Sequence, residues 1–262
     1  MRRFSAEYLA DTRRGFWADR EALAALDLER RQRVLDVGCG TGSLADVLRA
    51  ETDARVVCLD ADVSLLREVD AGDRIVGDAT RLPVADGTFD LVACQALLVN
   101  LPRPVDAVRA FAGASSELVA AVEPDNAAVT VESTVEAEAD LAARARAAYL
   151  DGLDTDATLG SEVAALFEAA GLRDVTTTRH DLVREVAPPY EPRDVEAARR
   201  KATASRLADH EPELRAGGLS AAEYEALLDD WRAMGRAAAE QLRAGEYRRT
   251  ETVPFYVTVG RV

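Results

Sequence analysis

The sequence predicts a doubly wound α/β protein, with a mostly parallel seven-stranded sheet and helices on both faces. From residue 33 onward, short apolar runs of strand length alternate with segments of helical spacing. This alternation implies right-handed crossovers that cover both faces of a parallel sheet. A glycine-rich stretch also separates the first predicted strand from the first predicted helix. At 262 residues, the chain has room for one large domain or for a core with an insertion.

The predicted strands are short apolar or β-branched runs. They are 34–37, 55–60, 74–77, 89–94, 117–123, 175–178 and 252–259. Besides the helices between the early strands, apolar residues at helical spacing predict the helices 4–28, 105–114, 132–150, 160–170, 193–209 and 220–244. Gly171 is expected to end one of these helices, and Ser220 with Glu223 has the spacing of a capping box.

Four segments are expected along the chain. They are an N-terminal helical cover (1–30), an α/β core (31–187), a helical insertion (188–250) and the final strand of the core (251–262). The minimal fold does not need the insertion, which begins at the proline-rich run 188–192. A lid over the substrate and a packing or dimerisation element are equally good interpretations of it.

The stretch 34–44 reads as a buried strand, a tight turn and the start of a helix. Gly38, Gly40 and Gly42 alternate with other residues in the turn. Glycine adopts positive φ and lets a ligand approach where a Cβ would block it. The first turn of a helix also presents free N–H groups. The segment is therefore predicted to hold a small polar cofactor against bare backbone.

Two common nucleotide-binding motifs do not fit this spacing. The dinucleotide fingerprint G-x-G-x-x-G requires a third glycine where this chain has Ser43. The triphosphate-binding loop requires a lysine after its last glycine, and the stretch has none. The spacing disfavours an NAD-dependent oxidoreductase and rejects a triphosphate-binding loop.

Acidic residues follow the next two strands. Asp60 ends the run 55–60, and Asp78 with Ala79 follows the run 74–77. A carboxylate at the end of the second strand can accept both hydroxyls of a ribose. Because several nucleoside cofactors carry ribose, Asp60 alone does not identify the cofactor.

The pattern Asp36-x-Gly38-x-Gly40-x-Gly42 resembles the first motif of the class I S-adenosylmethionine (SAM) dependent methyltransferases. The Gly-Asp-Ala ending at Ala79 and the strand Phe-Asp-Leu-Val at 89–92 are similar to later motifs of that family. The resemblance is strong over residues 33–125 and weaker toward the C-terminus.

The resemblance implies SAM as the cofactor and an antiparallel last strand. In this interpretation Asp60 binds the ribose, Asp78 and Ala79 bind the adenine, and the backbone near Gly38 and Gln95 meets the methionine part. Asp36, Asp60 and Asp78 would also compensate the charge of the sulfonium. The predicted cofactor-binding residues are Asp36, Gly38, Cys39, Gly40, Gly42, Asp60, Ala61, Asp78, Ala79 and Gln95.

Candidate substrate contacts are less specific. Trp17 belongs to the predicted cover, where Tyr8 and Arg13 are candidates for the methionine carboxylate. Asn100 stands near the place where relatives often carry a histidine, so no general base is assigned.

The end of the fifth strand adds two candidate substrate contacts. Glu123 and Asn126 lie at the edge where open α/β sheets bind ligands. Ordinary turn chemistry is the alternative interpretation of both residues.

The implied activity is methyl transfer to a small molecule. A sulfonium is already an activated leaving group, so the enzyme contributes mainly by positioning. The [DN]-P-P-[YF] signature of amino-group methylation on bases is absent from the loop 95–102. The alternatives kept are an RNA or protein methyltransferase, a non-catalytic SAM-binding protein and, least favoured, an NAD-dependent oxidoreductase.

Composition limits the cellular location and the kinds of site that are expected. No apolar run reaches about 18 residues, and no apolar signal segment follows Met1, which predicts a cytoplasmic protein that does not enter membranes. Three cysteines and two histidines give no disulfide framework and no metal-ligand spacing. The sequence does not predict the oligomeric state.

The charge balance is strongly acidic, with a net charge of −15. Lys201 is the one lysine, so 31 of the 32 basic side chains are arginines. This composition is typical of a salt-loving archaeon with a GC-rich genome. An acidic surface also repels phosphate backbones, which argues against nucleic-acid substrates.

If the acidity is a salt adaptation, the free energy of unfolding should rise from low to molar KCl, because dissolved ions screen the repulsion among excess carboxylates. Urea unfolding followed by circular dichroism at both salt concentrations measures this change. A free energy that stays constant or falls with added salt would contradict the interpretation.

Overall fold

The computed structural model describes residues 15–18, 20–70 and 72–262. The predicted roles of Tyr8 and Arg13 lie outside these residues. The described chain divides into two compact units. The first contains the chain up to Asp125, Leu159–His180 and Phe255–Val262, and the second contains Asn126–Thr158 and Asp181–Pro254.

Eight strands are present in the described residues. They are β1 Arg33–Val37, β2 Arg55–Asp60, β3 Asp73–Val76, β4 Phe89–Gln95, β5 Ser115–Pro124, β6 Thr130–Ser133, β7 Arg173–Val186 and β8 Arg249–Arg261. In the first unit the order is β3-β2-β1-β4-β5-β8, with β7 beside β8. The first five strands pair in parallel, and β8 runs antiparallel to β5. The predicted doubly wound fold is confirmed.

Helices connect these strands. They are α1 Ser43–Glu51, α2 Val63–Arg67, α3 Pro104–Ala114, α4 Glu138–Asp151, α5 Val163–Ala169, α6 Pro192–Thr203, α7 Ser205–Ala208, α8 Glu211–Ala216 and α9 Ala221–Ala244. The predicted capping box of Ser220 and Glu223 is present at the start of α9. Gly171 follows α5 with φ of 90°, as expected of a glycine that ends a helix. No helix in the described chain is long and apolar enough to span a membrane.

The core of the first unit lies where β1 and β4 are covered on both faces. Four of the five residues of β1 and six of the seven of β4 are buried, as expected of central strands of a parallel sheet that is covered on both faces. Leu35 from β1, Phe111 from α3 and Phe167 from α5 are fully buried in one cluster. This core fixes the carboxyl ends of the central strands.

The leading segment differs from the predicted helix. Its described part forms 3₁₀ turns at Phe16–Ala18, Arg20–Leu26 and Leu28–Arg30. Asp27 has φ of 51°, a left-handed conformation that interrupts helical propagation. The buried Arg31 holds the end of the segment, because its Nε donates to Leu26 O (3.0 Å).

The second unit contains structure that the sequence analysis missed. Strand β6 pairs antiparallel with residues 249–252 of β8, and α4 therefore begins at Glu138 instead of residue 132. Strand β7 is also far longer than the predicted 175–178. Residues 126–158, which lie within the predicted core segment 31–187, belong to the second unit.

A buried ionic network lies inside the second unit, centred on Glu138. Lys201 Nζ is 2.5 Å and Arg249 Nε 3.0 Å from Glu138 Oε1. Tyr247 OH (2.8 Å) and Ser133 Oγ (2.7 Å) donate to Glu138 Oε2. Burial acts to raise the pKa of Glu138, but Lys201, Ser133 and Arg249 together lower it below its ordinary value. Glu138 is therefore an anion held by two cations.

Replacing Glu138 with glutamine should destabilise the protein by about 3 kcal/mol, because Lys201 and Arg249 would then face each other without their shared carboxylate. Urea unfolding at neutral pH measures the loss. Glu132→Gln, on the exposed face of β6, is the matched control and should change stability by less than about 0.5 kcal/mol.

The effect should depend on pH. Since the folded-state pKa of Glu138 is lowered, its stabilisation is present above the unfolded-state pKa and is lost as the pH falls through the folded-state value. The difference between wild type and Glu138→Gln should therefore shrink in acid. Equal stability of the two proteins at neutral pH would show that the network contributes little.

Candidate functional site

The glycine turn between β1 and α1 is the centre of the candidate site. Gly38, Gly40 and Gly42 have φ of 67°, 57° and 90°, so all three are left-handed, as the sequence predicts. Gly38 N–H (2.7 Å) and Cys39 N–H (3.1 Å) both donate to Leu59 O at the end of β2. The turn is therefore fastened to the neighbouring strand.

Asp60 connects the second strand to this turn. Its carboxylate is mostly buried, and Oδ2 accepts a hydrogen bond from Gly40 N–H (2.8 Å). Oδ1 accepts one from Asp62 N–H (2.8 Å), across the exposed Ala61. Each carboxylate oxygen has two lone pairs, so each can accept one further hydrogen bond. The arrangement suits a carboxylate that also receives two adjacent hydroxyls.

Asp36 and Cys39 lie beneath the turn. Asp36 is fully buried on β1, and its Oδ2 accepts from Ala45 N–H (3.1 Å) in the first turn of α1. A hydrogen bond with Cys58, burial and the carboxylate of Asp36 raise the pKa of the buried Cys39, so this side chain stays a neutral thiol. Both side chains are buried at the turn instead of facing solvent.

Asp78 and Ala79 follow β3. Asp78 Oδ1 accepts from Thr80 N–H and Thr80 Oγ1, both at 2.8 Å, and these bonds lower the pKa of the exposed Asp78. The preceding Gly77 donates its N–H to Asp60 O (3.0 Å). The structure therefore joins Asp78 to Asp60 through the backbone, while Ala79 is buried.

Gln95 ends β4 at the same edge of the sheet. It is almost fully buried, and its Oε1 accepts from Trp17 Nε1 (3.2 Å). The Trp17 ring packs against Phe16 with centroids 4.6 Å apart, and Phe16 packs on Phe255 of β8. Trp17, predicted to contact substrate, is thus buried as an anchor of the leading segment. The indole N–H fixes the Gln95 side chain.

Glu123, predicted as a substrate contact, accepts hydrogen bonds from within the protein. It is fully buried at the end of β5. Its Oε1 accepts from Leu97 N–H and Leu98 N–H, both at 2.9 Å, and Oε2 accepts from Val99 N–H (3.3 Å). Burial raises the pKa of Glu123 to about 7, against the opposing effect of these three N–H groups. The carboxylate caps the segment that follows β4.

That segment is strained at its first residue. Ala96 has φ of 48°, a conformation that costs about 1–3 kcal/mol in a non-glycine residue and persists only when its surroundings impose it. Ala96 N–H donates to Val122 O (2.9 Å), and Asn100 Nδ2 donates to Ala96 O (2.8 Å). Asn100, predicted as a substrate contact, is mostly buried, and its hydrogen bond to Ala96 O connects the two ends of this segment.

Leu97 connects the segment to the glycine turn. A Cβ placed on Gly38 would lie 2.7 Å from Leu97 Cδ1, so the space that glycine leaves open here is filled by Leu97 and not by a ligand. A Cβ on Gly42 would likewise meet the Val69 side chain at 3.3 Å. Side chains of the protein therefore lie beside Gly38 and Gly42, and cofactor binding by these glycines stays a prediction.

Asn126, the remaining predicted substrate contact, belongs to the second unit. Its Nδ2 donates to Ala157 O (2.7 Å), which is the turn chemistry that the sequence analysis kept as the alternative. The structure brings Asp36, Cys39 and Asp60 together at the glycine turn.

Sequence reasoning missed the positive φ of Ala96 and the contact between Leu97 and Gly38. The sequence did contain a signal that Glu123 has partners within the protein. This glutamate ends the apolar run 118–122, and a charge in such a run is buried at a cost unless it has partners. Within the described residues, no group of three His, Cys, Asp or Glu side chains is placed to hold a metal ion.

Part of the chain is similar in sequence to known methyltransferases. Residues 35–115 match a family model described as a methyltransferase domain. A demethylmenaquinone methyltransferase of Mycolicibacterium vanbaalenii is 40% identical over 88 residues, which are 33% of this chain and 38% of the relative. A malonyl-[acyl-carrier protein] O-methyltransferase of Pseudescherichia vulneris is 38% identical over 73 residues, which are 26% of this chain and 29% of the relative. The chain thus spans less than two fifths of the length of each of these relatives.

Solved structures share the fold over most of the chain. A protein of Bacillus halodurans described as a candidate methyltransferase superposes with a TM-score of 0.54 at 14% identity, covering 92% of this chain and 97% of that one. The YcgJ protein of Bacillus subtilis gives 0.50 at 14% identity, covering 92% and 98%. The part of this chain that is similar in sequence to a methyltransferase domain is the part that contains the glycine turn, Asp60 and Gln95.

Proposed function

We propose that the chain is a SAM-dependent methyltransferase that transfers the methyl group to a small-molecule acceptor by in-line displacement. The observation that carries the proposal is the left-handed turn at Gly38, Gly40 and Gly42, tied by Gly40 N–H to the carboxylate of Asp60. The methyltransferase domain matched over residues 35–115 supports the same conclusion.

The residues at the turn would bind the cofactor by its polar groups. In this proposal the two remaining acceptor positions on Asp60 receive the ribose hydroxyls, while Asp78 and Ala79 receive the adenine. The turn and Gln95 meet the methionine part. Bound SAM supplies a methyl group on a sulfonium, so the chain has to orient two reactants and exclude water.

The acceptor is proposed to be a small organic molecule. The relatives described above are named for demethylmenaquinone and for malonyl-[acyl-carrier protein], neither of which is a nucleic acid. The net charge of −15 also opposes binding to phosphate backbones. A cytoplasmic location and a salt-adapted archaeal source remain proposals from composition alone.

Asp60→Ala should weaken binding of S-adenosylhomocysteine, the demethylated cofactor, by about 1–3 kcal/mol, because it removes hydrogen bonds to a charged acceptor. Titration calorimetry measures the change. The matched control is Asp73→Ala, which removes an exposed carboxylate paired with Arg55 at the amino end of β3 and should leave affinity unchanged. Binding of NADH without binding of S-adenosylhomocysteine would overturn the proposed function.

Gly38→Ala should both destabilise the protein and abolish detectable cofactor binding. A left-handed alanine costs about 1–2 kcal/mol, and displacement of Leu97 should add about 1–3 kcal/mol. Gly171→Ala is the matched control, because Gly171 also has positive φ but has nothing within 4 Å of an added Cβ. The control should lose only the stability that a left-handed alanine costs, and it should bind S-adenosylhomocysteine normally. Equal losses of stability in both variants would show that the contact with Leu97 does not add to the effect of Gly38→Ala.

A further inference from the structure

We propose that Glu123 is a positioning residue of the cofactor site, whose carboxylate holds residues 96–100 against the glycine turn at Gly38. The inference rests on the function proposed above, because it concerns the same site. It assigns to a buried side chain the task of shaping one wall of that site without touching the cofactor.

Hydrogen bonds to Glu123 fix the segment that follows β4. Three consecutive N–H groups, those of Leu97, Leu98 and Val99, donate to its two oxygens at 2.9, 2.9 and 3.3 Å. Three donors converging on one carboxylate fix both the position and the direction of the backbone that carries them. Glu123 is fully buried, so water does not compete for these bonds.

The same segment is strained. Ala96 is left-handed, although alanine gains nothing from that conformation. The segment has to leave β4 and turn back at once so that its next three N–H groups reach Glu123. Without the carboxylate, we expect Ala96 to relax toward an ordinary φ and to carry Leu97 with it.

Leu97 connects this segment to the glycine turn. Leu97 Cδ1 occupies the space that a Cβ on Gly38 would need, at 2.7 Å from the Cβ position. The N–H of Gly38 donates to Leu59 O (2.7 Å). The Gly38 peptide is therefore held between β2 and Leu97, and the position of Leu97 depends on Glu123.

Protonation should loosen this arrangement. Burial raises the pKa of Glu123 to about 7. Among the described residues, the Cys94 thiol of β4 lies 3.6 Å from Oε1, and Tyr256 of β8 is the strand-register partner of Glu123. A protonated carboxyl has one oxygen that donates instead of accepting, so the longest bond, from Val99 N–H, should be lost first. Cofactor affinity should therefore fall as the pH drops through about 7.

The experiment compares wild type with Glu123→Gln. Titration calorimetry with S-adenosylhomocysteine between about pH 6 and about pH 8.5 should show wild-type affinity falling roughly three- to tenfold toward the acid end, since one proton allows at most about tenfold per pH unit. Glu123→Gln should bind weakly with a flat profile over this range. Glu168→Gln, an exposed substitution on α5, is the matched control and should follow the wild-type curve.

Hydrogen exchange gives a second readout that does not use the cofactor. The amides of 97–99 should exchange at least about tenfold faster in Glu123→Gln than in wild type, while the amides of β1 stay protected. If Glu123→Gln does not fold, Leu97→Ala tests the later step. It should weaken S-adenosylhomocysteine binding and flatten its pH dependence, because the Leu97 side chain is the link between Glu123 and Gly38.

The outcomes separate the two proposals. Wild type that binds S-adenosylhomocysteine equally at both ends of the pH range, with Glu123→Gln indistinguishable from it, overturns the role of Glu123 and leaves the proposed function standing. Unchanged affinity in Leu97→Ala overturns that role as well. Wild type that does not bind S-adenosylhomocysteine at any pH overturns both proposals.

Discussion

The carboxylate of Asp60 is the constraint on which the candidate site depends. Through Oδ2 it holds Gly40 of the glycine turn, and through Oδ1 it holds Asp62 at the start of α2. The carbonyl of the same residue accepts from Gly77 at the end of β3. One residue thus links the loops that follow three adjacent parallel strands. A site whose walls come from separate loops needs such a link, because loops without it move independently.

The central architecture followed from the sequence because local and global preferences agree there. The strand at 34–37 is apolar except for Asp36, the turn at Gly38 favours positive φ, and the helix that follows presents free N–H groups at its start. Each of these signals depends on residues close together in the chain. The placement of Asp60 beside Gly40 also followed, since carboxyl ends of parallel strands meet at one edge of a sheet.

The features that the sequence did not reveal depend on residues far apart in the chain. Strand β6 has no strong apolar alternation of its own and exists through pairing with the start of β8, more than 100 residues later. Glu123 resembled a polar residue at a strand end, and its true partners are the N–H groups that follow β4. The left-handed Ala96 has no signal in its side chain. Periodicity and turn chemistry cannot predict contacts of this kind.

The second unit holds the chain's one lysine. Lys201 Nζ lies between the Glu138 carboxylate and the Tyr247 hydroxyl, with only a fifth of its side chain exposed. Acylating reagents attack accessible amines, and the Lys201 amine is mostly covered while its ion pair is intact. The chain therefore carries a built-in chemical reporter: modification of a single side-chain amine records how often the second unit opens. No engineered label is needed to follow that opening.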